Sequence, residues 1–197
     1  MEKLTTKQRI LFAALELFSQ RGYDGVGVDE IAAAVGIKGP SLYHHFRGKE
    51  AILDGIVAYF ESYYQERFGS NPDSVVYPAS CRELLEQSLC RVDFTIHDPQ
   101  IRKLRRFLAM EQFRSIRLGK LATAHQLLGL TSLYSGIFAH MMGEGLLKKD
   151  APELLALEFI SPVSLLIARL DREPEAEEEI LALIQTHMEH FIKIYGV

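Results

Sequence analysis

Apolar residues recur along this chain with the three- and four-residue spacing of amphipathic helices, and no segment shows a convincing period-two alternation. The first such pattern predicts a helix over about residues 5–21, and its inward face is formed by Ile10, Ala13, Ala14, Leu17 and Phe18. Thr5 and Gln8 have the spacing of a capping box, so the helix is expected to begin at Thr5.

The same periodicity predicts eight further helices, over about 28–35, 40–46, 49–68, 79–96, 99–115, 121–147, 152–171 and 175–195. Residues 69–78 form the clearest loop, because Gly, Ser, Asn, Asp and Pro cluster there. The sequence therefore predicts an all-α fold of about nine helices. We divide it into an N-terminal domain over 1–50 and a C-terminal domain over 51–197.

Two short helices near the N-terminus are joined by the turn Gly36-Ile37-Lys38-Gly39, and the longer first helix precedes them. A glycine at position 36 suits the left-handed conformation that ends many helices. This arrangement is a helix-turn-helix, the motif that places its second helix in the major groove of DNA.

The second helix of the motif has an unusually polar surface. Leu42 and Phe46 are four residues apart and are predicted to point inward, which leaves Ser41, Tyr43, His44 and His45 at the surface or beside it. Hydroxyl, phenol and imidazole groups can hydrogen-bond phosphates and base edges. Lys38 and Lys49 flank the helix and would add positive charge.

Other roles for these side chains remain open. Tyr43 and His45 could instead seal the core of a small domain, and His44 and Lys49 could be solvated surface residues. The motif as a whole could also be a helical hairpin that contacts protein rather than DNA.

The N-terminal quarter of the chain resembles the TetR family of transcriptional regulators. The matching residues run from Arg9-Ile10-Leu11 through Arg21-Gly22-Tyr23 and Gly36-Ile37 to Lys49-Glu50. The resemblance implies an N-terminal DNA-binding domain, a C-terminal domain that binds a small effector and dimerises, and a repressor acting on a palindromic operator. No enzymatic activity and no cofactor are expected.

The resemblance also assigns roles to individual positions. It implies that Tyr43, His45 and Lys49 touch phosphates, and that Lys38, Ser41 and His44 lie near bases or backbone. Where the family usually has Ser or Thr at the start of the second helix, this chain has Gly27, which can still cap the helix and offer its backbone N–H to a phosphate.

Charge alone would not suggest a DNA-binding protein, because the net charge of the chain is −4. Residues 1–50 carry seven Lys or Arg against six Asp or Glu, whereas the remainder carries 15 against 20. The distribution is therefore only mildly favourable to nucleic acid.

Neither membrane insertion nor disulfide chemistry is predicted. No apolar run approaches the roughly 18–20 residues of a membrane span, and the N-terminus lacks the regions of a signal peptide, so we expect a cytoplasmic protein. Cys81 and Cys90 are too far apart on one helix to form a disulfide. We interpret them as buried thiols, with redox sensing as the alternative.

Aromatic and methionine residues of the middle helices suggest an apolar pocket for a small effector. The candidate lining residues are Phe94, His97, Phe107, Met110, Phe113, Tyr134, Phe138 and Met141. These residues could equally form an ordinary core. His125 and His140 are further polar groups that could orient a ligand.

Residues 154–170 are apolar on almost every side, which predicts burial partly by a second subunit. Together with the last helix they would form an intermolecular four-helix bundle. The predicted interface residues are Leu155, Phe159, Leu166, Ile184, Met188 and Phe191. In such a dimer two reading helices would lie about 34 Å apart, in successive major grooves.

Other chemistry is weakly supported. His187 and His190 are three residues apart, but without further ligands they predict no metal site. No nucleophile elbow, zinc-protease motif or catalytic carboxylate pair is present. A ligand-independent regulator, an activator and an all-α protein-binding module remain as alternatives to a ligand-responsive repressor.

Overall fold

The computed structural model describes residues 4–68 and 75–197. In chain order the α-helices are α1 (Thr6–Arg21), α2 (Val28–Val35), α3 (Gly39–His45), α4 (Lys49–Phe68), α5 (Cys81–His97), α6 (Pro99–Glu111), α7 (Ile116–Thr123), α8 (Gly129–Gly143), α9 (Pro152–Leu170) and α10 (Glu177–Tyr195). Within the described ranges no strand forms beyond one isolated antiparallel bridge between Leu147 and Gly196. The all-α prediction is confirmed.

The ends of the first helices follow from side-chain and glycine chemistry. The predicted capping box is confirmed: the Gln8 N–H donates to Thr5 Oγ1 at 3.2 Å, and the Thr5 N–H donates to Gln8 Oε1 at 3.0 Å. Gly36 ends α2 in the left-handed conformation, with φ 75° and ψ 34°. Residues with a Cβ rarely adopt this conformation, but glycine has no Cβ and adopts it without strain. The chain can therefore turn sharply at Gly36.

The chain forms two compact units. The first comprises Met1–Asp73 and Pro99–Gly119, and the second comprises Ser74–Asp98 and Lys120–Val197. The division after residue 50 remains a prediction about function, but it is not where the compact units divide. Both α4 and α6 pack on α1 and therefore belong to the first unit.

The helical stretch predicted over 121–147 differs from the structure. Helix α7 already begins at Ile116, and a π-helical segment, Ala124–Leu128, separates it from α8. The chain passes from the first unit to the second within α7, between Gly119 and Lys120. Of the loop predicted over 69–78, residues 69–74 lie outside the described residues, and residues 75–78 have no regular secondary structure.

The core of the first unit joins α1 to α6. Phe18 of α1 and Phe107 of α6 are fully buried, and their rings stack with centroids 5.6 Å apart. At the rim of this contact Lys103 pairs with Glu16 at 2.5 Å, and this bond lowers the pKa of the Glu16 carboxyl. Helix α6 is therefore an integral part of the unit that contains the helix-turn-helix.

Glu111, at the end of α6, makes the principal polar contact to the turn after α1. Only 2% of this residue is exposed, and its Oε1 accepts a hydrogen bond from the Tyr23 N–H at 3.2 Å. Arg114 lies 3.6 Å from the same oxygen. A buried carboxylate needs such partners, so the turn at Tyr23 and the end of α6 stabilise each other.

Helix α7 is tied to α4 by charge. Arg117 forms an ion pair with Asp54 and lies 3.8 Å from Glu50. Both carboxylates belong to the first two turns of α4, directly after α3. The start of α7 is thereby linked to the start of α4.

Three aromatic rings form the centre of the second unit. Phe138 of α8, Phe159 of α9 and Phe191 of α10 are buried, with ring centroids between 4.8 and 5.5 Å apart. Aromatic pairs at this distance add to the free energy gained by burial. The three helices are consequently packed around one apolar centre.

The interpretation of two buried thiols is wrong for Cys90, which is exposed on α5. Cys81 is half-buried, and burial raises the pKa of its thiol. Its Sγ donates to the Leu146 carbonyl at 3.4 Å.

His97, the last residue of α5, connects this helix to α10. Its Nδ1 lies 2.9 Å from Asp93 Oδ1 and its Nε2 lies 3.0 Å from Glu177 Oε1. The hydrogen bond to Glu177, followed by that to Asp93, raises the pKa of His97 above its ordinary value of 6.5. The protonated imidazole therefore bridges two helices of the second unit.

Replacing Glu111 by Ala is expected to destabilise the first unit by about 1–3 kcal/mol, because the Tyr23 N–H is left without its acceptor. Glu111→Gln is expected to cost less, since its amide oxygen can still accept. The measurements are the free energy of unfolding in urea and the hydrogen-exchange rate of the Tyr23 amide. The exposed Glu61 of α4 provides the control variant Glu61→Ala. Equal stabilities of the two alanine variants, within about 0.5 kcal/mol, would contradict the assigned role.

The stability of the second unit is expected to fall as the pH rises through the pKa of folded His97. Because this pKa lies above 6.5, the bridge contributes fully below the unfolded pKa and is abolished once the folded imidazole is deprotonated. Thermal unfolding between about pH 5 and pH 9 should show this decrease. His97→Gln should flatten the dependence, and a profile identical to that of the unsubstituted protein would show that the bridge contributes nothing.

Candidate nucleic-acid interface and effector pocket

The solvent face of α3 carries the polar side chains that the sequence singled out. Leu42 is fully buried and Phe46 nearly so, as predicted. Ser41, Tyr43, His44 and His45 are all exposed, and the exposed fraction of Tyr43 is 53%. Neither Tyr43 nor His45 seals the core, so this alternative interpretation is wrong.

Lys38 lies just before α3 and is exposed. Arg47, which the sequence interpretation passed over, is exposed just after α3. Its position between Phe46 and Lys49 could have identified it from the sequence as a cation next to the end of α3. Two cations thus flank the polar face of α3, one near each end.

Lys49 has a different environment from the one predicted for a phosphate ligand. Its Nζ donates to the Tyr23 carbonyl at 2.8 Å and to the Val26 carbonyl at 3.0 Å. It also lies 4.4 Å from the centroid of the Tyr23 ring. The structure therefore uses Lys49 to fasten the start of α4 to the connection between α1 and α2, because carbonyl oxygens and an aromatic face both attract an ammonium.

The proposed role of Gly27 also changes. Its backbone N–H donates to Glu30 Oε2 at 2.8 Å, and Glu30 in turn pairs with Arg21 at 2.7 Å. Hydrogen bonds from Arg21 and then from Gly27 lower the pKa of Glu30. A carboxylate that already accepts this N–H takes the position that a phosphate oxygen would need.

A pocket opens among α5, α8, α9 and α10 in the second unit. Counted with its open mouth it holds about 430 Å³. Its lining residues are Ser88, Arg91, Val92, Thr95, Leu130, Tyr134, Phe159, Ile160, Val163, Ser164, Ile167 and Met188. Apolar side chains dominate, and the polar ones come mainly from α5.

Only Tyr134 of the predicted lining residues borders this pocket. Phe107, Met110 and Phe113 belong to the first unit, where Phe107 fills the core and Phe113 is 92% exposed. None of these three residues lines the pocket of the second unit.

The other predicted lining residues lie in the second unit, outside the lining of the pocket. Phe138 and Met141 are buried in the core, Phe94 is half-buried on α5, and His97 bridges Asp93 and Glu177. His140 is exposed and stacks on Tyr77 with centroids 4.3 Å apart. The side chain of His125 lies outside the described residues.

The sequence interpretation named only one of the residues that line this pocket, because it searched for aromatic and methionine residues. A usable signal was present on α5. Ser88, Arg91 and Thr95 follow a three- and four-residue spacing beside the buried Leu84, Val92 and Ile96. Polar groups along the edge of a buried helical face are unusual in an ordinary core.

The predicted dimer residues are also corrected. Leu155, Phe159, Ile184, Met188 and Phe191 are between 0 and 2% exposed within the single chain, so they offer no surface to a partner. Leu166 is partly buried against the same core. An apolar residue can be buried by its own subunit as readily as by another, which the periodicity alone does not distinguish.

The outward faces of α9 and α10 carry a different apolar set. These exposed residues are Leu154, Leu157, Leu165, Leu183 and Ile194. The two helices pack on each other through Phe159 and Phe191, so these exposed residues lie on two neighbouring helices. We call this set the leucine face.

Within residues 4–68 and 75–197, no three His, Cys, Asp or Glu side chains converge to hold a metal ion. No helix in the described part of the chain is long and apolar enough to cross a bilayer.

Sequence comparison assigns the helix-turn-helix. The family described as "Bacterial regulatory proteins, tetR family" matches residues 10–56. The chain is 23% identical over 193 residues to YttP of Bacillus subtilis, described as a probable HTH-type transcriptional regulator, and the match covers 98% of this chain and 89% of that protein. It is 35% identical over 96 residues to IcaR of Staphylococcus aureus, a negative regulator of the biofilm operon icaADBC. That match spans 49% of this chain and half of IcaR.

Solved structures share the fold over nearly the whole chain. SmeT, the repressor of a multidrug efflux pump of Stenotrophomonas maltophilia, superposes with a TM-score of 0.74 at 16% identity, covering 98% of this chain and 91% of SmeT. AibR, solved in complex with isovaleryl coenzyme A and operator DNA, superposes with a TM-score of 0.60 at 20% identity, covering 83% of this chain and 86% of AibR.

The exposed polar face of α3, the match of the helix-turn-helix and the all-α fold of the rest agree with one another. The proteins matched by sequence are transcriptional regulators rather than enzymes. Residues 10–56 of this chain therefore form a helix-turn-helix of the TetR family of bacterial regulatory proteins.

Proposed function

We propose that this protein is a dimeric repressor that leaves its operator when a small apolar or amphipathic ligand binds the pocket of the second unit. The observation that carries the DNA-binding half of the proposal is the polar face of α3. Ser41, Tyr43, His44 and His45 are exposed together, and Lys38 and Arg47 flank them. Such a face supplies donors and acceptors to base edges and cations to phosphates.

The leucine face supports the dimeric part of the proposal. Five exposed apolar residues on two adjacent helices are the kind of surface that another subunit covers. A two-fold axis would bring the face of one subunit against the same face of its partner. Two copies of α3 would then read the two halves of a palindromic operator about 34 Å apart.

Two chain connections provide routes from the pocket to the reading helix. Helix α5 contributes Arg91 and Thr95 to the pocket and leads through Asp98 into α6, which ends at Glu111. Helix α8 contributes Leu130 and Tyr134 and is preceded by the π-helical segment and α7. A ligand that shifts α5 or α8 would therefore act on the contacts of Glu111 and Arg117.

Every described lining residue comes from α5, α8, α9 or α10. In the proposed mechanism α4 receives the signal through Arg117 and its carboxylate partners, Asp54 and Glu50. Ligand and operator binding would then be reciprocally coupled.

The relatives support a negative role in regulation. IcaR is a negative regulator and SmeT is a repressor. The AibR structure contains both a small molecule and operator DNA.

The experiment that tests the proposal selects genomic DNA fragments of the source organism that the purified full-length protein retains. An inverted repeat shared by the retained fragments is expected. A reporter placed behind this repeat should be expressed more strongly when the protein is absent. Absence of a common sequence would refute DNA recognition, and lower expression without the protein would identify an activator.

Substitutions on the solvent face of α3 are expected to weaken operator binding without unfolding the chain. Tyr43→Ala and Ser41→Ala should each lower the affinity roughly tenfold, because each removes a hydrogen-bonding group from the face. Lys38→Ala should in addition reduce the slope of log affinity against log salt concentration by about one, because one phosphate is no longer neutralised. Fluorescence anisotropy with a labelled operator measures both quantities.

Arg172→Ala is the matched control, since Arg172 is exposed in the second unit, far from α3 along the chain. It should leave both the affinity and the salt slope unchanged. If the α3 variants behave like this control, the assigned face does not touch DNA.

Placing a charge on the leucine face is expected to dissociate the dimer. Leu165 is 68% exposed, so Leu165→Glu should leave the fold intact but weaken association on the order of 100-fold, because a symmetric interface buries the new carboxylate twice. Sedimentation velocity measures the mass, and operator affinity should fall with it. Val76→Glu, at a similarly exposed position outside α9 and α10, is the control. A Leu165→Glu variant that remains dimeric would exclude this face.

A further inference from the structure

The polar groups of the pocket are concentrated on α5 and next to it. Ser88, Arg91 and Thr95 come from α5, and Tyr134 reaches them from α8. The Tyr134 hydroxyl donates to Ser88 Oγ at 3.0 Å, and the Thr95 hydroxyl donates to the Arg91 carbonyl at 2.7 Å. These bonds fix the side chains around Arg91.

Arg91 is the only charged residue among the twelve that line the pocket, and none of the described lining residues is acidic. Its neighbour Tyr134 is buried, and burial raises the pKa of this phenol even though the Arg91 guanidinium acts in the opposite direction. The phenol therefore stays neutral at physiological pH. The positive charge of Arg91 and the neutral hydroxyl groups together favour an anion.

Apart from Ser164, the remainder of the pocket is apolar. Phe159, Ile160, Val163, Ile167 and Met188 form its wall on α9 and α10. A ligand with one anionic group and a hydrocarbon body would satisfy both parts. Because the volume of about 430 Å³ includes the open mouth, the enclosed part of the pocket is smaller, which favours a single short hydrocarbon chain over a larger ring system.

We propose that the effector is an amphipathic carboxylate, bound with its carboxylate on the Arg91 guanidinium and its chain against the apolar wall. Arginine is suited to this role because its planar fork can donate two parallel hydrogen bonds to one carboxylate. That this carboxylate acts as the effector rests on the proposed function, in which this pocket controls operator binding. The binding chemistry can be tested without DNA.

The test uses three probes with the same eight-carbon chain: octanoate, 1-octanol and octylamine. Isothermal titration calorimetry with the full-length protein is expected to show octanoate binding at least about tenfold more tightly than 1-octanol, since a hydrogen bond to a charged group contributes more than a neutral one. Octylamine should bind more weakly than either, because its ammonium would face Arg91.

Arg91→Met keeps the apolar stem of the side chain and removes its charge. This variant should lose the preference for octanoate over 1-octanol while binding 1-octanol as before. Arg91→Lys should retain part of the preference, which a merely structural role for Arg91 would not predict. Arg82→Met, on the exposed side of the same helix, is the control and should bind all three probes like the unsubstituted protein.

Equal binding of octanoate and 1-octanol, or no binding of octanoate up to its solubility, would overturn the proposal. So would a preference for octanoate that survives in Arg91→Met. The same probes are then titrated into the complex with the selected operator. If octanoate binds through Arg91 but leaves operator affinity unchanged, the carboxylate site stands and ligand-induced release fails. If 1-octanol releases the operator and octanoate does not, release stands and the carboxylate assignment fails.

Discussion

The contact between α6 and the helix-turn-helix is the constraint on which the rest of the structure depends. Glu111 is buried and accepts the Tyr23 N–H, and Phe107 of α6 stacks on Phe18 of α1. A buried carboxylate with a fixed partner has few alternative positions, since breaking the bond leaves the Tyr23 N–H and the carboxylate oxygen without this hydrogen bond. Helix α6 is therefore held firmly to the first unit although both of its neighbours in sequence, α5 and the end of α7, lead into the second.

In the first unit, some polar groups form internal hydrogen bonds and others are exposed to solvent. Lys49 is bound to two backbone carbonyls, and the Gly27 N–H is bound to Glu30. These contacts hold α2 and α4 in place around α3. The outward side chains of α3 are exposed instead, so the proposed recognition surface is one short helix supported by groups that could otherwise have bound phosphate.

The second unit has an aromatic centre and, next to it, a pocket with polar groups. The rings of Phe138, Phe159 and Phe191 fill the centre, where they stabilise the packing of three helices. The pocket lies beside this centre and shares only Phe159 with it. A ligand in this pocket would act directly on α5 and α8, because both helices contribute side chains to its lining.

The sequence by itself determined the all-α class, most helix boundaries, the capping box at Thr5 and the polar face of α3, because these depend on residues close together in the chain. Periodicity reports which side of a helix is buried, but not what buries it. Only the tertiary structure decided that Phe159 and Phe191 face their own subunit, that Phe107 packs in the first unit, and that Arg91 borders the pocket. Each of these depends on contacts between residues far apart in sequence, which local spacing does not encode.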